Sequence, residues 1–170
     1  MQLVLKNCTI RPWRLQDADS LVKHANNHKV WLALRDRMPH PYSINDAHEF
    51  LRTSIAEQLV KNFCVEVDGT AAGGIGFIPG EDVHRHTAEV GYWLGEEFWR
   101  RGIMTEAVTA FSDFCFDNLP LRRIYAEPFA NNPASARVLE KAGFVFEGRL
   151  KNNVIKNGKL LDSLLYAKTR

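Results

Sequence analysis

The chain has 170 residues, 45% of them hydrophobic and 25% charged. That composition is typical of soluble globular proteins, and a chain of this size fits one domain that buries on the order of 70% of its unfolded surface. A formal net charge of +2 argues against a nucleic-acid partner, which would need a basic face. No stretch approaches the roughly 20 apolar residues of a membrane span. Cys8, Cys64 and Cys115 lack metal-like spacing, and their odd number argues against a disulfide framework. The opening MQLVLKNCTIRPWR carries no long apolar run and no small-residue cleavage site, so no signal peptide is expected and a reducing cytoplasm is the expected compartment.

Residues 3–13 are strand-like. A helix follows, starting near Asp17, with Leu21, Val22 and Ala25 on one face. Residues 28–42 read as irregular, broken by Pro39 and Pro41. Ser43 and Asp46 resemble a capping box. Behind them Ala47, Phe50, Leu51, Ile55 and Leu59 keep helical spacing to about Val60. In "NFCVEVDGTAAGGIGFI" the alternation of Phe63, Val65 and Val67 ends at Asp68-Gly69, a hairpin signal. Residues 87–94 predict a strand. Met104, Ala107, Val108, Phe111, Phe114 and Cys115 predict one apolar face of a helix over 101–118. "LRRIYAEPF" predicts another strand. "NPASARVLEKAGF" predicts a short helix with Asn132 as N-cap, Pro133 in its first turn and Gly143 at its stop. Two strands around Asn157-Gly158 complete the chain. No repeat, linker or domain boundary is evident, so residues 1–170 read as a single domain of α/β (α+β) class. Strand 87–94, helix 101–118 and strand 121–127 form a βαβ unit, whose strands should be parallel.

The positive charge is local. Arg100 and Arg101 precede Gly102 at the mouth of the 101–118 helix. Unpaired amides and the helix dipole make such a mouth an anion site. A glycine there admits a ligand close to the backbone, and arginines pair with phosphate. The plain alternative is two solvated cations and a turn glycine. A nucleotide P-loop would need GxxxxGK[ST] and a dinucleotide fingerprint GxGxxG; Gly73, Gly74 and Gly76 supply neither spacing. His84 and His86 share one face of an extended segment without a third ligand at suitable spacing, so no metal is expected.

The segments "AEVGYWLGEEFWRRGIMTEAV", "LRRIYAE" and "FANNPASARVLEKAGFVFEG", with the opening "IRPWRLQDADSL", resemble the GNAT superfamily of N-acetyltransferases. They are most similar to its ribosomal-protein N-acetyltransferase (Rim-type) branch. The resemblance implies a mixed, mostly antiparallel sheet of about seven strands with about four helices. In it the strands near 87–94 and 121–127 splay to form the cofactor cleft. The family's phosphate motif, [QR]-x-x-G-x-[GA], falls on Trp99 to Met104, so Trp99 and Met104 depart from its first and last positions.

By that resemblance the co-substrate is acetyl-coenzyme A. The amides of Arg101, Gly102, Ile103, Met104 and Thr105 would hold its pyrophosphate, with Arg100 and Arg101 assisting. Trp93 and Leu94 would pair with the pantetheine arm. Asn132 would bond pantetheine, and Ser135 would approach the thioester sulfur. The structural alternative is that Asn132 is simply an N-cap and Ser135 a first-turn residue. Glu89 is the candidate base, or else a strand glutamate facing solvent or an arginine. Ser135 or Tyr125 would protonate the leaving thiolate, Tyr125 being otherwise a core aromatic. Direct attack in a ternary complex is expected, because no cysteine has the flanking groups of a nucleophile. Trp31 and Tyr42, in the segment that walls the acceptor side in the family, would bind substrate or anchor a loose segment. The acceptor is a protein N-terminal α-amine or a small-molecule amine, and a homodimer is compatible with the resemblance. The rivals are a non-catalytic acyl-coenzyme A-binding module and a nucleotide-binding protein.

Overall fold

Two tight turns join four of the strands into hairpins. Asp68-Gly69 and Asn157-Gly158 both place two successive residues in the left-handed region, with φ of 49° and 75° in the first and 49° and 72° in the second. That conformation matches the twist of a two-residue hairpin, which is why Asp-Gly and Asn-Gly mark them. The computed structural model describes residues 1–56 and 61–170. Contacts divide the chain into two units, Met1–Gly76 with Tyr92–Ala107, and Phe77–Gly91 with Val108–Arg170.

In the first unit the predicted strand over 3–13 is two strands, β1 (Leu3–Val4) and β2 (Thr9–Pro12), paired antiparallel with Leu3 opposite Ile10. β2 pairs with β3 (Asn62–Val67), and β3 with β4 (Thr70–Pro79), both antiparallel. β4 is buried from Ala71 to Phe77, which explains why its sequence does not alternate. Helices α1 (Ala18–Ala25), α2 (His28–Leu32) and α3 (Ile44–Ala56) belong to this unit. α2 lies in the segment expected to be irregular. Asn27 creates it: its side chain accepts from the amides of Lys29 and Val30, two of the orphan donors of a helix start.

The Ser43/Asp46 box caps α3, with Ser43 N donating to Asp46 Oδ2 at 2.8 Å and Asp46 N to Ser43 Oγ at 3.3 Å. On α3, Ala47 and Leu51 are buried as expected. Ser54 faces inward, whereas Ile55 is 46% exposed. Leu59 and Val60 lie outside the described residues. Trp13, Leu21, Tyr42, Leu51 and Cys64 form the core of this unit. Beside it Arg11 is bidentate to Asp17 at 2.8 Å and donates its Nε to Glu66 at 2.5 Å, and Arg11 and Asp17 are both buried. A buried cation is tolerated only with such complete pairing.

The second unit holds the parallel pair. β5 (Thr87–Leu94) runs parallel to β6 (Arg123–Ala126), from Thr87 opposite Arg123 to Glu89 opposite Tyr125. β5 continues beyond that last pair. β8 (Lys159–Thr169) lies antiparallel to β6 and to β7 (Val145–Lys156), giving the strand order β1-β2-β3-β4-β5-β6-β8-β7. The sheet is thus mixed and mostly antiparallel, with eight strands against the expected seven or so. α4 (Ile103–Asn118) is the crossover between β5 and β6 and starts two residues later than expected. α5 (Pro133–Lys141) is capped by Asn132, as the sequence implies. The described residues hold five α-helices, and none is long and apolar enough to cross a membrane.

Candidate active site

β5 ends at Leu94 and a short turn, Glu96–Phe98, follows. Trp99 closes it: the indole Nε1 donates to the Leu94 carbonyl at 2.7 Å. The residue that departs from the family motif therefore fixes the loop to the strand end. Behind that strand end Gly73 and Gly74 do what neither nucleotide motif needed of them. A Cβ on Gly73 would run into the Trp93 carbonyl, and one on Gly74 would come within 2.7 Å of the Trp93 indole nitrogen.

The loop itself has an alternating backbone. Arg100 has φ of 63° and Gly102 has φ of 75°, while Trp99 has φ of −64° and Arg101 is not left-handed. Extended Trp99, with ψ of 156°, followed by left-handed Arg100 has the dihedral signs of a type II turn. A non-glycine residue held at positive φ costs about 1–3 kcal/mol and tends to persist at functional sites. The sequence marked Arg100 for its charge and gave no sign of its conformation. At Gly102 a side chain would meet nothing within 4 Å, so the space in front of the loop is clear. The Gly102 carbonyl accepts the first bond of α4, from Glu106 N at 3.2 Å. Ile103 and Met104 are therefore first-turn residues, whose amides lie beyond the reach of any intrahelical carbonyl.

Met104 is 7% exposed. Its side chain is packed inside, so its bulk does not obstruct the helix mouth. The Arg101 guanidinium lies 5.5 Å from the Phe98 ring centroid and 3.7 Å from Asp68 Oδ2. Glu106, the acidic residue of the first turn, is occupied elsewhere: its carboxylate accepts from Lys6 N at 2.8 Å and from Asn7 N at 3.0 Å. A crevice of about 340 Å³ opens beside Arg101 and Ile103, lined by Lys6, Asn7, Glu66 and Asp68 among others. Its mixed charges and shallow polar walls do not suit a thioester.

In the second unit the register puts Glu89 beside Tyr125. Ala88 and Val90 are buried on one face of β5, as are Ile124 and Ala126 on β6, and Glu89 and Tyr125 share the other, partly accessible face. Asn132 Oδ1 accepts from Ser135 N at 3.2 Å, so the cap is real and the side-chain NH₂ is what Asn132 has to offer a ligand. Ser135 is half-buried in the first turn of α5.

Of the two residues expected to bind substrate, both in the first unit, Trp31 is partly exposed and stacks on His40 at 5.4 Å and 25°. Tyr42 is 4% exposed in the core, and burial pushes its hydroxyl up to about 12, so it anchors the segment from beneath. The three thiols are buried, and burial raises them to about 11 at Cys8 and about 12 at Cys64 and Cys115. Thiols of that basicity are poor nucleophiles near neutrality. His86 Nδ1 lies 2.6 Å from the Pro120 carbonyl, an ordinary loop contact.

Residues 7–145 match the acetyltransferase (GNAT) domain family. The chain belongs to the GNAT acetyltransferase family. The GNAT chain is 39% identical over 95 residues to an uncharacterized N-acetyltransferase, YoaA, of Bacillus subtilis, covering 56% of this chain and 53% of that one. Its alignments span only about half the length, 40–54%, of the first curated relatives it matches. Among solved structures it is similar to the ribosomal-protein-S5-alanine acetyltransferase from Vibrio fischeri, with a TM-score of 0.86, 26% identity, and coverage of 99% of this chain and 96% of that one. It is also similar to Mycobacterium smegmatis RimJ in complex with a coenzyme A disulfide, with a TM-score of 0.83, 27% identity, and coverage of 95% and 81%. These neighbours accord with the Rim-type resemblance.

Proposed function

We propose that this GNAT protein is an acetyl-coenzyme A-dependent N-acetyltransferase that passes the acetyl group to a primary amine by direct attack in a ternary complex. The observation that carries the reading is the β5–loop–α4 geometry. Positive φ at Arg100 and Gly102, a clear space before Gly102 and the first amides of α4 together suit a pyrophosphate. Fold alone would not justify an activity. The family match and a neighbour's coenzyme A complex add to the site geometry.

In this reading the amides of Arg101 to Thr105 hold the pyrophosphate, with Arg100 and Arg101 as counter-charges. Trp93 and Leu94 offer backbone to the pantetheine arm. Because Trp99 already engages the Leu94 carbonyl, the strand end is braced before any ligand arrives. Asn132 donates its NH₂ to pantetheine, and Glu89 takes a proton from the attacking amine, directly or through water. Ser135 or Tyr125 returns a proton to the departing thiolate, whose ordinary pKa near 8.5 makes that help worthwhile. The basic, buried thiols favour direct attack over an acyl-enzyme.

The acceptor we infer is an α-amine at a protein N-terminus, with a small-molecule amine as the other candidate. An α-amine, with pKa about 7.7–8.0, is partly neutral at pH 7, whereas a lysine amine near 10.4 is not. Residues 28–42 carry Lys29, Arg35 and Arg37 against the single carboxylate of Asp36, a poor surface for a polyamine. The acetyltransferase of Vibrio fischeri that acts on ribosomal protein S5 alanine supports the same choice.

Thermal melts test the site. Acetyl-coenzyme A at about 100 times its Kd contributes ~2.7 kcal/mol, which raises Tm by about 5–10 °C for a chain of this size. Gly102→Glu should abolish that rise, because it puts bulk and negative charge where phosphate would sit. A variant that is stabilised as fully as the parent contradicts the assignment.

A further inference from the structure

Between Leu94 and the Arg100–Gly102 loop stands Glu96, and its carboxylate reaches back to the segment that begins α2. Glu96 Oε2 accepts from Asn27 Nδ2 at 2.9 Å, and Oε1 pairs with the Lys29 ammonium. Asn27 is at the same time the N-cap of α2, its Oδ1 accepting from Lys29 N at 2.9 Å and Val30 N at 3.3 Å. One amide side chain thus gives its oxygen to the helix and its NH₂ to Glu96. A five-residue helix cannot hold itself; α2 depends on this cap, on the Glu96 tie and on the burial of Val30. It carries Trp31, whose ring lies 5.4 Å from His40 and 5.6 Å from His28, with the two imidazoles 5.4 Å apart. Lys29 donates to Glu96 ahead of Asn27 in holding that carboxyl below its usual range, so the tie stays charged near neutrality.

We propose that Glu96 is a positioning residue for the amine acceptor: by holding Asn27 and Lys29 it fixes α2, and with it the Trp31–His28–His40 stack, to the turn that ends β5. The inference rests on the acetyltransferase reading above. It adds that the acceptor wall and the thioester-bearing strand share one anchor. Loosening the anchor blurs the position of the acceptor without removing a contact to acetyl-coenzyme A.

Initial-rate kinetics of the full chain, with acetyl-coenzyme A and the best amine from a peptide and small-amine panel, test this. Glu96→Ala should raise the acceptor KM about five- to twentyfold, with the acetyl-coenzyme A KM within about twofold of the parent. Glu96→Gln keeps an acceptor for both partners and should recover most of the loss. Asn27→Asp keeps the helix cap but sets a carboxylate against Glu96, and should reproduce the Glu96→Ala defect in a folded protein, checked by its melting curve. Trp31→Ala should raise the same KM, and Glu96→Ala added to it should change little more. An unchanged acceptor KM in both Glu96→Ala and Asn27→Asp, or full additivity with Trp31→Ala, overturns the inference and leaves the acetyltransferase reading standing. Absence of transfer by the parent to every amine overturns that reading and the inference together.

Discussion

At the scale of single residues the loop from Trp99 to Met104 shows how a motif survives substitution. Trp99 fills the first motif position and spends its indole N–H on the Leu94 carbonyl, while Met104 turns its bulk into the interior. Neither change touches the backbone that would meet a phosphate. Arg100 carries the cost of that backbone at φ of 63°. Arg100→Gly should therefore stabilise the fold by about 1 kcal/mol, read as a rise in melting temperature, while weakening acetyl-coenzyme A binding through the lost cation. A fall in stability would mean that the residue is not strained. Glu89 sits beside Tyr125 on the accessible face of the parallel pair. Glu89→Gln should slow turnover most at low pH, where the amine is most protonated and most needs a base; an unchanged pH–rate profile removes Glu89 from the mechanism. Gly102 was marked by its place at a helix mouth after two arginines, and its φ of 75° is a conformation that glycine adopts freely. The conformation of Arg100 was not, because local sequence rarely marks a non-glycine residue for positive φ.

At the scale of elements, β5, β7, β8, α4 and α5 were readable from period, caps and Asn-Gly turns. α2 was not, because five residues are too few to show a helical period; its one signal was Asn27 as a cap. On α3 the expected stripe included Ile55, but packing turned Ser54 inward instead, a case of tertiary contacts overriding hydropathy. The turn Glu96–Phe98 also has a titratable neighbour. His24 on α1 is 4% exposed, its Nδ1 is 3.3 Å from Glu97, its ring meets Phe98 edge-on at 5.2 Å, and its Nε2 has no hydrogen-bond partner among the described residues. Burial lowers its pKa below the ordinary 6.5, outweighing the pull of Glu97, with Lys23 adding to the lowering. The unfolded chain then binds more protons than the folded one just below pH 6.5, so this contribution is fully present above that value and is lost as pH falls through the folded pKa. Melting temperatures measured from pH 7.5 to 5 should fall less in His24→Gln than in the parent, relative to each protein's own value at pH 7.5; parallel curves would show that His24 does not titrate as described.

At the scale of the molecule, a βαβ crossover within a mostly antiparallel sheet sends β5 into the loop and α4, and β6 in parallel beside it. Ligands in sheets with parallel strands gather outside the strands' carboxyl ends, and here that end is the Leu94-to-Gly102 segment. The fold class could be read from the sequence because it rests on local patterns, alternation and turn pairs, and a glycine after two arginines marked the loop on which the proposed cofactor site rests. The short helix α2 and its stacked aromatic cluster, on which the inferred acceptor wall rests, could not be read, because no local pattern records how they are held. The measurement that tests the central claim most directly is mass spectrometry of a panel of peptides and small amines incubated with the protein and acetyl-coenzyme A. The account predicts a gain of one acetyl group on the α-amine of at least one peptide, with stoichiometric release of coenzyme A and none without the protein. Tight binding of acetyl-coenzyme A with no acetylated amine anywhere in the panel would contradict it and favour a non-catalytic acyl-coenzyme A-binding module.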